Sequence, residues 1–307
     1  MILLLESIHD DGMRLLEAAD SVELVADLDA FDPGAFAEVR AIVTRGRGRV
    51  TADLIAEFPD LLVVARCGAG LDNVDTQAAE AAGVAVAHAP GVTTAAVAEH
   101  AVMLMLATAR RLVYVDTAVK SGNWAVREGF VGIEMTGKRL GIVGYGAIGA
   151  RVGDLGTALG MDVVYTTRRE GLPVTTLPFD ELLSTSDVIQ VCVPLTDQTR
   201  GMFGADQFAL MKSTAVLVNT ARGPIVDHRA LADALDGGRL GGYGADVWDP
   251  EPPEAGDRVL DHPATVITPH VAGLTDRTYR EICVGPAEAV AAIVTGEMPD
   301  PRWIYGT

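Results

Sequence analysis

Lysine is nearly missing from this chain, with three residues, Lys120, Lys138 and Lys212, in 307. Basic residues of both kinds number 24 against 42 acidic ones, a formal net charge of −18. A chain so short of positive charge has no footprint for nucleic acid or an anionic membrane surface, and neither is expected as a partner. Cysteine is scarce too. Cys67, Cys192 and Cys283 are odd in number, far apart and without CxxC spacing, which excludes a disulfide framework and points to a reducing compartment. No metal site is expected. Long hydrophobic runs are absent: the longest, over 95–109, is interrupted by Glu99 and His100 and is too short to span a bilayer. The opening MILLLESIHDD lacks a basic n-region and its apolar run is strand-length, so it does not read as a signal peptide. The expectation is a soluble, cytoplasmic protein.

What is present suits ordinary globular interiors, at 49% hydrophobic and 21% charged residues. The length exceeds what one core usually carries, so two domains are expected. Apolar strand-like runs at 2–5, 23–25, 41–43, 62–65 and 84–86 alternate with helical patterns at 10–19, 33–39, 52–57 and 75–81. Continuous apolar strands separated by helices imply parallel strands buried on both faces, an α/β fold. After Pro90-Gly91 one long helical pattern runs from Thr94 toward Lys120, and Ser121-Gly122-Asn123 ends it. A second strand series follows at 140–143, 162–165, 188–193, 215–219, 242–247 and 266–268, then a closing helix over 275–296. The pattern predicts two doubly wound, Rossmann-like parallel-sheet domains, 1–96 completed by 287–307, and 97–286.

Residues 140–149, Leu-Gly-Ile-Val-Gly-Tyr-Gly-Ala-Ile-Gly, join a strand to a helix through Gly144, Gly146 and Gly149. In a dinucleotide site Gly144 permits the tight turn and Gly146 lets backbone approach a pyrophosphate. Gly149 allows close packing, and the helix N-terminus offers N–H groups to the anion. Tyr145, Ala147 and Ile148 complete the turn. A purely structural glycine turn is the alternative, and the βαβ setting argues against it. The next strand end bears on which dinucleotide binds. An NAD site carries Asp or Glu about 20 residues after the first glycine, bonded to the ribose 2′-OH. Thr167 stands there instead, followed by Arg168 and Arg169. Guanidinium suits a 2′-phosphate, so NADP(H) is favoured. NAD(H) remains the alternative, with the two arginines a solvated pair partly neutralised by Glu170.

Three later segments carry polar chemistry: Val-Asn-Thr-Ala-Arg-Gly at 218–223, Gly-Ala-Asp-Val-Trp-Asp-Pro-Glu-Pro at 244–252 and Thr-Pro-His-Val-Ala-Gly at 268–273. Each follows a predicted strand, so Arg222, Glu251 and His270 project from strand C-terminal ends, where doubly wound sheets bind ligands. Reducing a keto acid needs a cation on its carboxylate and carbonyl, and a proton donor for the oxygen as hydride reaches carbon. Arginine suits the first task. A histidine kept protonated by a neighbouring carboxylate suits the second. Taken singly, Arg222 also reads as a turn cap, Glu251 as an exposed loop acid and His270 as a satisfied loop histidine.

Together, and at this spacing, the segments resemble the D-isomer-specific 2-hydroxyacid dehydrogenases, notably phosphoglycerate dehydrogenases and glyoxylate/hydroxypyruvate reductases. The resemblance covers nearly the whole chain. It includes Arg-Cys-Gly-Ala-Gly-Leu-Asp-Asn-Val-Asp at 66–75, Thr-Thr-Ala-Ala-Val-Ala-Glu-His at 93–100, Gly-Asn-Trp at 122–124, the glycine turn, Asn-Thr-Ala-Arg-Gly-Pro-Ile-Val-Asp at 219–227 and Thr-Pro-His at 268–270. It implies a substrate-binding first domain, a dinucleotide-binding second domain and an active site in the cleft between them. Arg222 would bind the substrate carboxylate and carbonyl, His270 would be the acid/base, and Glu251 would pair with it. Asp246 would lie near the nicotinamide amide, while Pro194, Thr199, Thr220, Ala221 and Gly273 would line the dinucleotide. Backbone N–H groups of Gly68, Ala69 and Gly70, beside Cys67, would hold the substrate carboxylate, which accounts for glycine there.

The resemblance also implies a homodimer built through the Thr94 helix region and a C-terminal helix returning to the first domain. Particular residues narrow it. Tyr-Thr-Thr-Arg at 165–168 looks like the NADPH-using glyoxylate/hydroxypyruvate reductases, and Glu251 stands where formate dehydrogenases carry Gln. No regulatory domain like that of longer phosphoglycerate dehydrogenases is expected after residue 307. Arg-Gly-Arg-Gly-Arg at 45–49 occupies the loop where phosphoglycerate dehydrogenases place a phosphate-binding arginine. Arg45 is therefore a candidate substrate contact, with a solvated loop as the alternative. The expected function is reduction of a small 2-keto acid of the glyoxylate/hydroxypyruvate type. Two readings compete: an enzyme acting on a phosphorylated hydroxy acid, and a non-catalytic dinucleotide-sensing protein, since some relatives of the resembled family are nucleotide-sensing corepressors.

Overall fold

In the computed structural model, which describes residues 1–36 and 38–306, every named strand lies in a parallel sheet. The chain divides into two units, Met1–Thr93 with Leu274–Thr307, and Thr94–Gly273. The first unit holds strands β1 (Ile2–Leu4), β2 (Val22–Leu24), β3 (Ala41–Thr44), β4 (Val63–Arg66) and β5 (Ala85–Ala87), in spatial order β2-β1-β3-β4-β5. Side chains alternate across the sheet, so Ile2 and Leu4 enter one core while Leu3 enters the other. The first core is closed by Leu16 of α1 (Asp10–Ala19) and by Ile282, Val290 and Val294 of the C-terminal helix, Thr278–Thr295. The second is closed by Leu54 and Ile55 of α2 (Ala52–Ala56) and Ala79 of α3 (Thr76–Ala81). Burial on both faces is why these strands read as continuous apolar runs. Side chains start the helices where the sequence places them. Thr51 accepts the Leu54 N–H at 3.3 Å and Asp75 accepts the Ala78 N–H at 2.9 Å.

Two expectations in this unit are corrected. The helix expected over 33–39 is a single 3-10 turn, Pro33–Ala35, and Phe36 is already extended at φ −116. A segment this short cannot repay helix nucleation, and Gly34 adds backbone entropy to the cost. Ala37, inside the expected span, lies outside the described residues, as does Thr307. The return to the first unit was expected at 287 and comes at Leu274. The C-terminal helix cannot be divided at 287, because Ile282, Cys283, Ala287 and Val290 form one stripe in the same core.

The second unit opens with α4 (Thr94–Ala109) and α5 (Leu112–Lys120). Ala98, Ala101, Leu104 and Met105 enter this unit's core, and the unit starts at Thr94, not at the expected 97. The single long helix expected here is two, because Arg111 is left-handed at φ 47. No glycine or proline marks the break, and the Arg111 guanidinium lies 4.5 Å from the Tyr114 ring centre. Strands β6 (Arg139–Val143), β7 (Asp162–Thr166), β8 (Val188–Val191), β9 (Val216–Asn219), β10 (Gly242–Ala245) and β11 (Thr265–Ile267) follow, in order β11-β10-β9-β8-β6-β7. Helix α4 packs so closely on β10 that a Cβ on Gly244 would lie 2.9 Å from Thr108 Oγ1 and 3.3 Å from Leu104 Cβ. Strand order reverses between β1 and β3 in the first sheet and between β6 and β8 in the second, the two places where doubly wound sheets bind ligands. Among the described residues, no helix is long and apolar enough to cross a membrane.

Candidate active site

The glycine turn lies where the second sheet reverses, between β6 and α6 (Ala147–Ala158). Gly144 has φ 106, and a Cβ there would sit 2.5 Å from the Cys192 carbonyl oxygen, just past β8. A Cβ on Gly149 would sit 2.4 Å from the Gly144 oxygen, so packing requires both glycines. Gly146 differs, since its Cβ position has no heavy atom within 4 Å. Gly146 caps α6 without a side-chain hydrogen bond, and the N–H groups of Ala147 and Ile148 have no acceptor within the helix. Open space beside uncapped N–H groups at a helix N-terminus fits a pyrophosphate. Tyr145 sets its ring edge on Tyr165 at 4.9 Å, and its carbonyl accepts from Arg169 Nη1 at 3.1 Å.

The rim comes from the next strand ends. Thr167 Oγ1 accepts the Arg169 N–H at 3.2 Å, and Arg168 Nη1 donates to Gln198 Oε1 at 2.8 Å, with both arginines exposed. Thr199 is occupied in closing the turn after β8: its hydroxyl donates to the Pro194 oxygen at 2.7 Å and accepts the Thr196 N–H at 2.8 Å. Thr220 accepts from the buried Gln190 at 3.0 Å.

Arg222, Glu251 and His270 follow β9, β10 and β11. Asn219 shapes the first turn, with Oδ1 taking the Ala221 N–H at 3.0 Å and Nδ2 donating to the Arg222 oxygen at 2.9 Å. Gly223 lets this turn touch the next loop, since a Cβ there would lie 1.9 Å from the Trp248 oxygen. Glu251 accepts the Trp248 N–H on Oε1 at 2.9 Å and faces His270 Nδ1 with Oε2 at 2.8 Å. Burial alone would raise the Glu251 pKa. The hydrogen bonds from His270 and Trp248, with the charges of His270 and Arg222, outweigh it and hold the carboxyl below its ordinary range. With Nδ1 committed to Glu251, Nε2 is the nitrogen left to move a proton at a substrate.

His270 has φ 56, a conformation that costs a non-glycine residue about 1–3 kcal/mol and persists where neighbours over-determine it. Asp246 supplies the restraint. Its side chain is 1% exposed, and its oxygens accept from Thr268 Oγ1 at 2.6 Å, Val271 N at 2.9 Å and Ala272 N at 2.8 Å. His100 on α4 stands behind, with Nε2 2.8 Å from Thr268 Oγ1. The carboxylate expected beside the nicotinamide amide thus also braces the loop on both sides of His270.

In the first unit, the loop expected to hold the substrate carboxylate follows β4. The Cys67 N–H bonds the Thr44 oxygen and the Gly68 N–H bonds the Arg66 oxygen, both at 2.8 Å. Of the three expected donors, Gly68 is therefore spent inside the fold, and Ala69 and Gly70 remain. Cys67 is buried, so its thiol presents no surface. The loop 45–49 is folded around Glu6, which lies at the other strand-order reversal. Glu6 Oε2 accepts the N–H groups of Arg45 (2.9 Å), Gly46 (2.7 Å), Arg47 (2.9 Å) and Gly48 (3.0 Å). Burial opposes the charge, yet these four bonds hold the Glu6 pKa down to about 2. The anion that the N–H groups of residues 45–48 bind is the Glu6 carboxylate, and the loop's guanidinium groups are left for another. Arg45 directs Nη1 at Tyr279 Oη, 3.3 Å away.

The family profile described as "D-isomer specific 2-hydroxyacid dehydrogenase, NAD binding domain" matches residues 102–272. The chain belongs to the D-isomer-specific 2-hydroxyacid dehydrogenase family. It is 39% identical to an Archaeoglobus fulgidus D-3-phosphoglycerate dehydrogenase over 83% of this chain and 50% of that protein. It is 34% identical to a Thermococcus litoralis glyoxylate reductase over 97% of this chain and 95% of that one. Among solved structures, a Thermus thermophilus protein superposes with TM-score 0.92 at 33% identity, covering 99% of both chains. A Sinorhizobium meliloti NADPH-dependent glyoxylate/hydroxypyruvate reductase, in complex with NADP and malonate, superposes with TM-score 0.85 at 30% identity, covering 95% of this chain and 92% of that one. The chain spans about half the length of the phosphoglycerate dehydrogenase and nearly all of the glyoxylate reductase. A nicotinamide dinucleotide is the cofactor of this family's binding domain, and the open Gly146 corner fits it. Sequence reasoning did not single out Asn219, Thr268 and His100, which shape the loops of the second unit, or Glu6, which shapes the loop 45–48 of the first. Asn219, Thr268 and His100 lie inside quoted motifs, but their roles come from the partners they meet. His100 reaches Thr268 and Glu6 reaches the loop 45–48 across long sequence separations that no local pattern records.

Proposed function

We propose that this chain reduces a small 2-keto acid of the glyoxylate/hydroxypyruvate type to the 2-hydroxy acid, with NADPH preferred over NADH. The observation that carries the reading is the His270–Glu251 pair at 2.8 Å, set on adjacent strand ends with the Arg222 charge acting on Glu251. A reduced nicotinamide dinucleotide held at the glycine turn, residues 144–149, would supply the hydride that the keto carbon needs. Arg222 binds the carboxylate and polarises the carbonyl, and His270 Nε2 gives its proton to the carbonyl oxygen. Glu251 holds the imidazolium form before transfer. Ala69 and Gly70 offer N–H groups to the carboxylate. Exposed Arg168 and Arg169, with no carboxylate at Thr167, support the NADPH preference.

A second reading, a phosphorylated substrate, is favoured by Arg45 and by the phosphoglycerate dehydrogenase likeness. The Glu6 contact weighs against it, because it consumes four of the loop's backbone donors, those of Arg45, Gly46, Arg47 and Gly48. We place the protein in the cytoplasm, which its three free cysteines support. We further propose a homodimer, supported by apolar side chains left exposed along α4 and α5: Met103, Leu106, Leu112, Val113, Tyr114 and Val119. The test of function is a spectrophotometric screen of glyoxylate, hydroxypyruvate, phosphohydroxypyruvate and other 2-keto acids with NADPH and NADH. Turnover of the unphosphorylated acids with NADPH is expected. Exclusive turnover of phosphohydroxypyruvate selects the second reading, and no turnover selects a dinucleotide-sensing protein.

A further inference from the structure

The loop after β4 owes the direction of its N–H groups to bonds made by its carbonyls. In a trans peptide the N–H points opposite the preceding C=O. The Gly68 oxygen accepts the Ala89 N–H at 2.8 Å, so the Ala69 N–H points away from the end of β5. The Ala69 oxygen faces His88 Nδ1 at 2.9 Å, so the Gly70 N–H points the same way. Two successive N–H groups on one side form a concave anion site, and neither Ala69 nor Gly70 is buried. The first of the two is set by backbone alone. The second is set by one side chain.

His88 is itself held by the C-terminal tail. Its N–H bonds the Trp303 oxygen, and the Tyr305 N–H bonds the Val86 oxygen, both at 2.8 Å. Ala87 and Ile304 form an antiparallel bridge at the edge of β5. The Tyr305 ring stands edge-on to the imidazole at 6.0 Å. Trp303 is seated in turn on the C-terminal helix, where a Cβ on Gly285 would come within 2.6 Å of the indole.

We infer that His88 is a positioning residue for substrate: through Nδ1 it fixes the peptide between Ala69 and Gly70 so that the Gly70 N–H meets the substrate carboxylate. The inference rests on the reading that this loop binds the carboxylate. A carbonyl accepts only, so the imidazole must carry its proton on Nδ1. His88→Asn keeps a donor at the same distance from Cβ, and His88→Leu keeps the branched shape without one.

The probe is oxamate, a carboxylate-bearing keto-acid mimic, added to the NADPH-loaded protein and followed by calorimetry and by the Gly70 amide signal in 15N–1H spectra. In the unmutated chain the Gly70 amide is expected to move on oxamate addition, and His88 Nδ1–H to appear as a slowly exchanging proton. His88→Leu is expected to weaken oxamate and raise the keto-acid KM about ten- to a hundredfold, the range for losing one hydrogen bond to a charged group. NADPH affinity is expected to stay constant, and His88→Asn to remain within about threefold of the unmutated chain. A Gly70 amide that does not move overturns the carboxylate-loop reading and this inference with it. A Gly70 amide that moves, with His88→Leu binding oxamate unchanged or His88→Asn as weak as His88→Leu, overturns the inference alone. If His88→Leu does not fold, an Nε2–H tautomer in the unmutated chain overturns it as well.

Discussion

His270 and Glu251 are 2.8 Å apart, and the His270 hydrogen bond is the first of the contacts that draw the Glu251 carboxyl down against its burial. Glu251 is held below the usual carboxylate range, so it stays ionised wherever a histidine titrates. Glu251→Gln removes that charge and leaves the imidazolium less favoured. Keto-acid reduction, which needs the proton on His270, is then expected to shift its pH profile to lower pH, as read from kcat/KM against pH; an unchanged profile removes Glu251 from the role. The cofactor rim makes an equally local prediction. Charge-assisted contacts to a 2′-phosphate contribute about 1.5–3 kcal/mol each, a preference of about ten- to a hundredfold for NADPH. Arg168→Ala is expected to erode NADPH use and spare NADH, and Thr167→Asp to reverse the preference, both measured as kcat/KM with each cofactor. Equal or better use of NADH by the unmutated chain contradicts the assignment.

Elements carry the restraints that these residues need. The turn after β11 hangs on Asp246 through Thr268, Val271 and Ala272. Thr268→Val removes one donor from a buried carboxylate and cuts the link to His100. It is expected to cost about 1–3 kcal/mol of stability and to lower kcat more than it changes the NADPH KM, as read by thermal melting and steady-state rates. In the other unit, Glu6 ties β1 to the loop after β3. Its pKa lies near 2 in the fold against an ordinary 4.5. The folded form therefore binds its proton less readily than the unfolded chain, and the stabilisation is present above pH 4.5 and lost as pH falls toward 2. It is on the order of 2 kcal/mol after allowance for solvent screening. Glu6→Gln is expected to lower the melting temperature at neutral pH and flatten its fall between about pH 4.5 and 3. The strands and the capped helices were legible because caps and two-sided burial leave local signatures, as at Thr51 and Asp75. The break at Arg111 was not, since a left-handed arginine has no sequence mark and is stabilised by Tyr114 beside it.

Over the whole molecule, two similar doubly wound sheets put their strand-order reversals to different uses. One surrounds an internal carboxylate at Glu6, and the other opens onto the Gly146 corner. Pattern alone predicts the repeated architecture but not this division, because the Glu6 contact joins residues about 40 positions apart in a loop without periodicity. Arg222, Glu251 and His270 were legible as residue types after predicted strands, and the contacts that support them were not, for the same reason of distance along the chain. Association belongs to this scale. Leu112 and Val113, 54% and 53% exposed, are expected to lie in the interface of a symmetric dimer. Light scattering at micromolar concentration is expected to give a dimer mass for the unmutated chain and a monomer mass for Leu112→Asp/Val113→Asp; a monomeric unmutated chain contradicts the proposal. Keto-acid reduction with His270 as proton donor is tested by NADPH oxidation with glyoxylate and hydroxypyruvate, compared between the unmutated chain and His270→Asn, with NADPH binding measured for both. Turnover by the first, a fall in kcat of about 10²–10⁴ in the second and equal NADPH affinity are expected. No turnover of either acid, or a His270→Asn variant as fast as the parent, contradicts that reading.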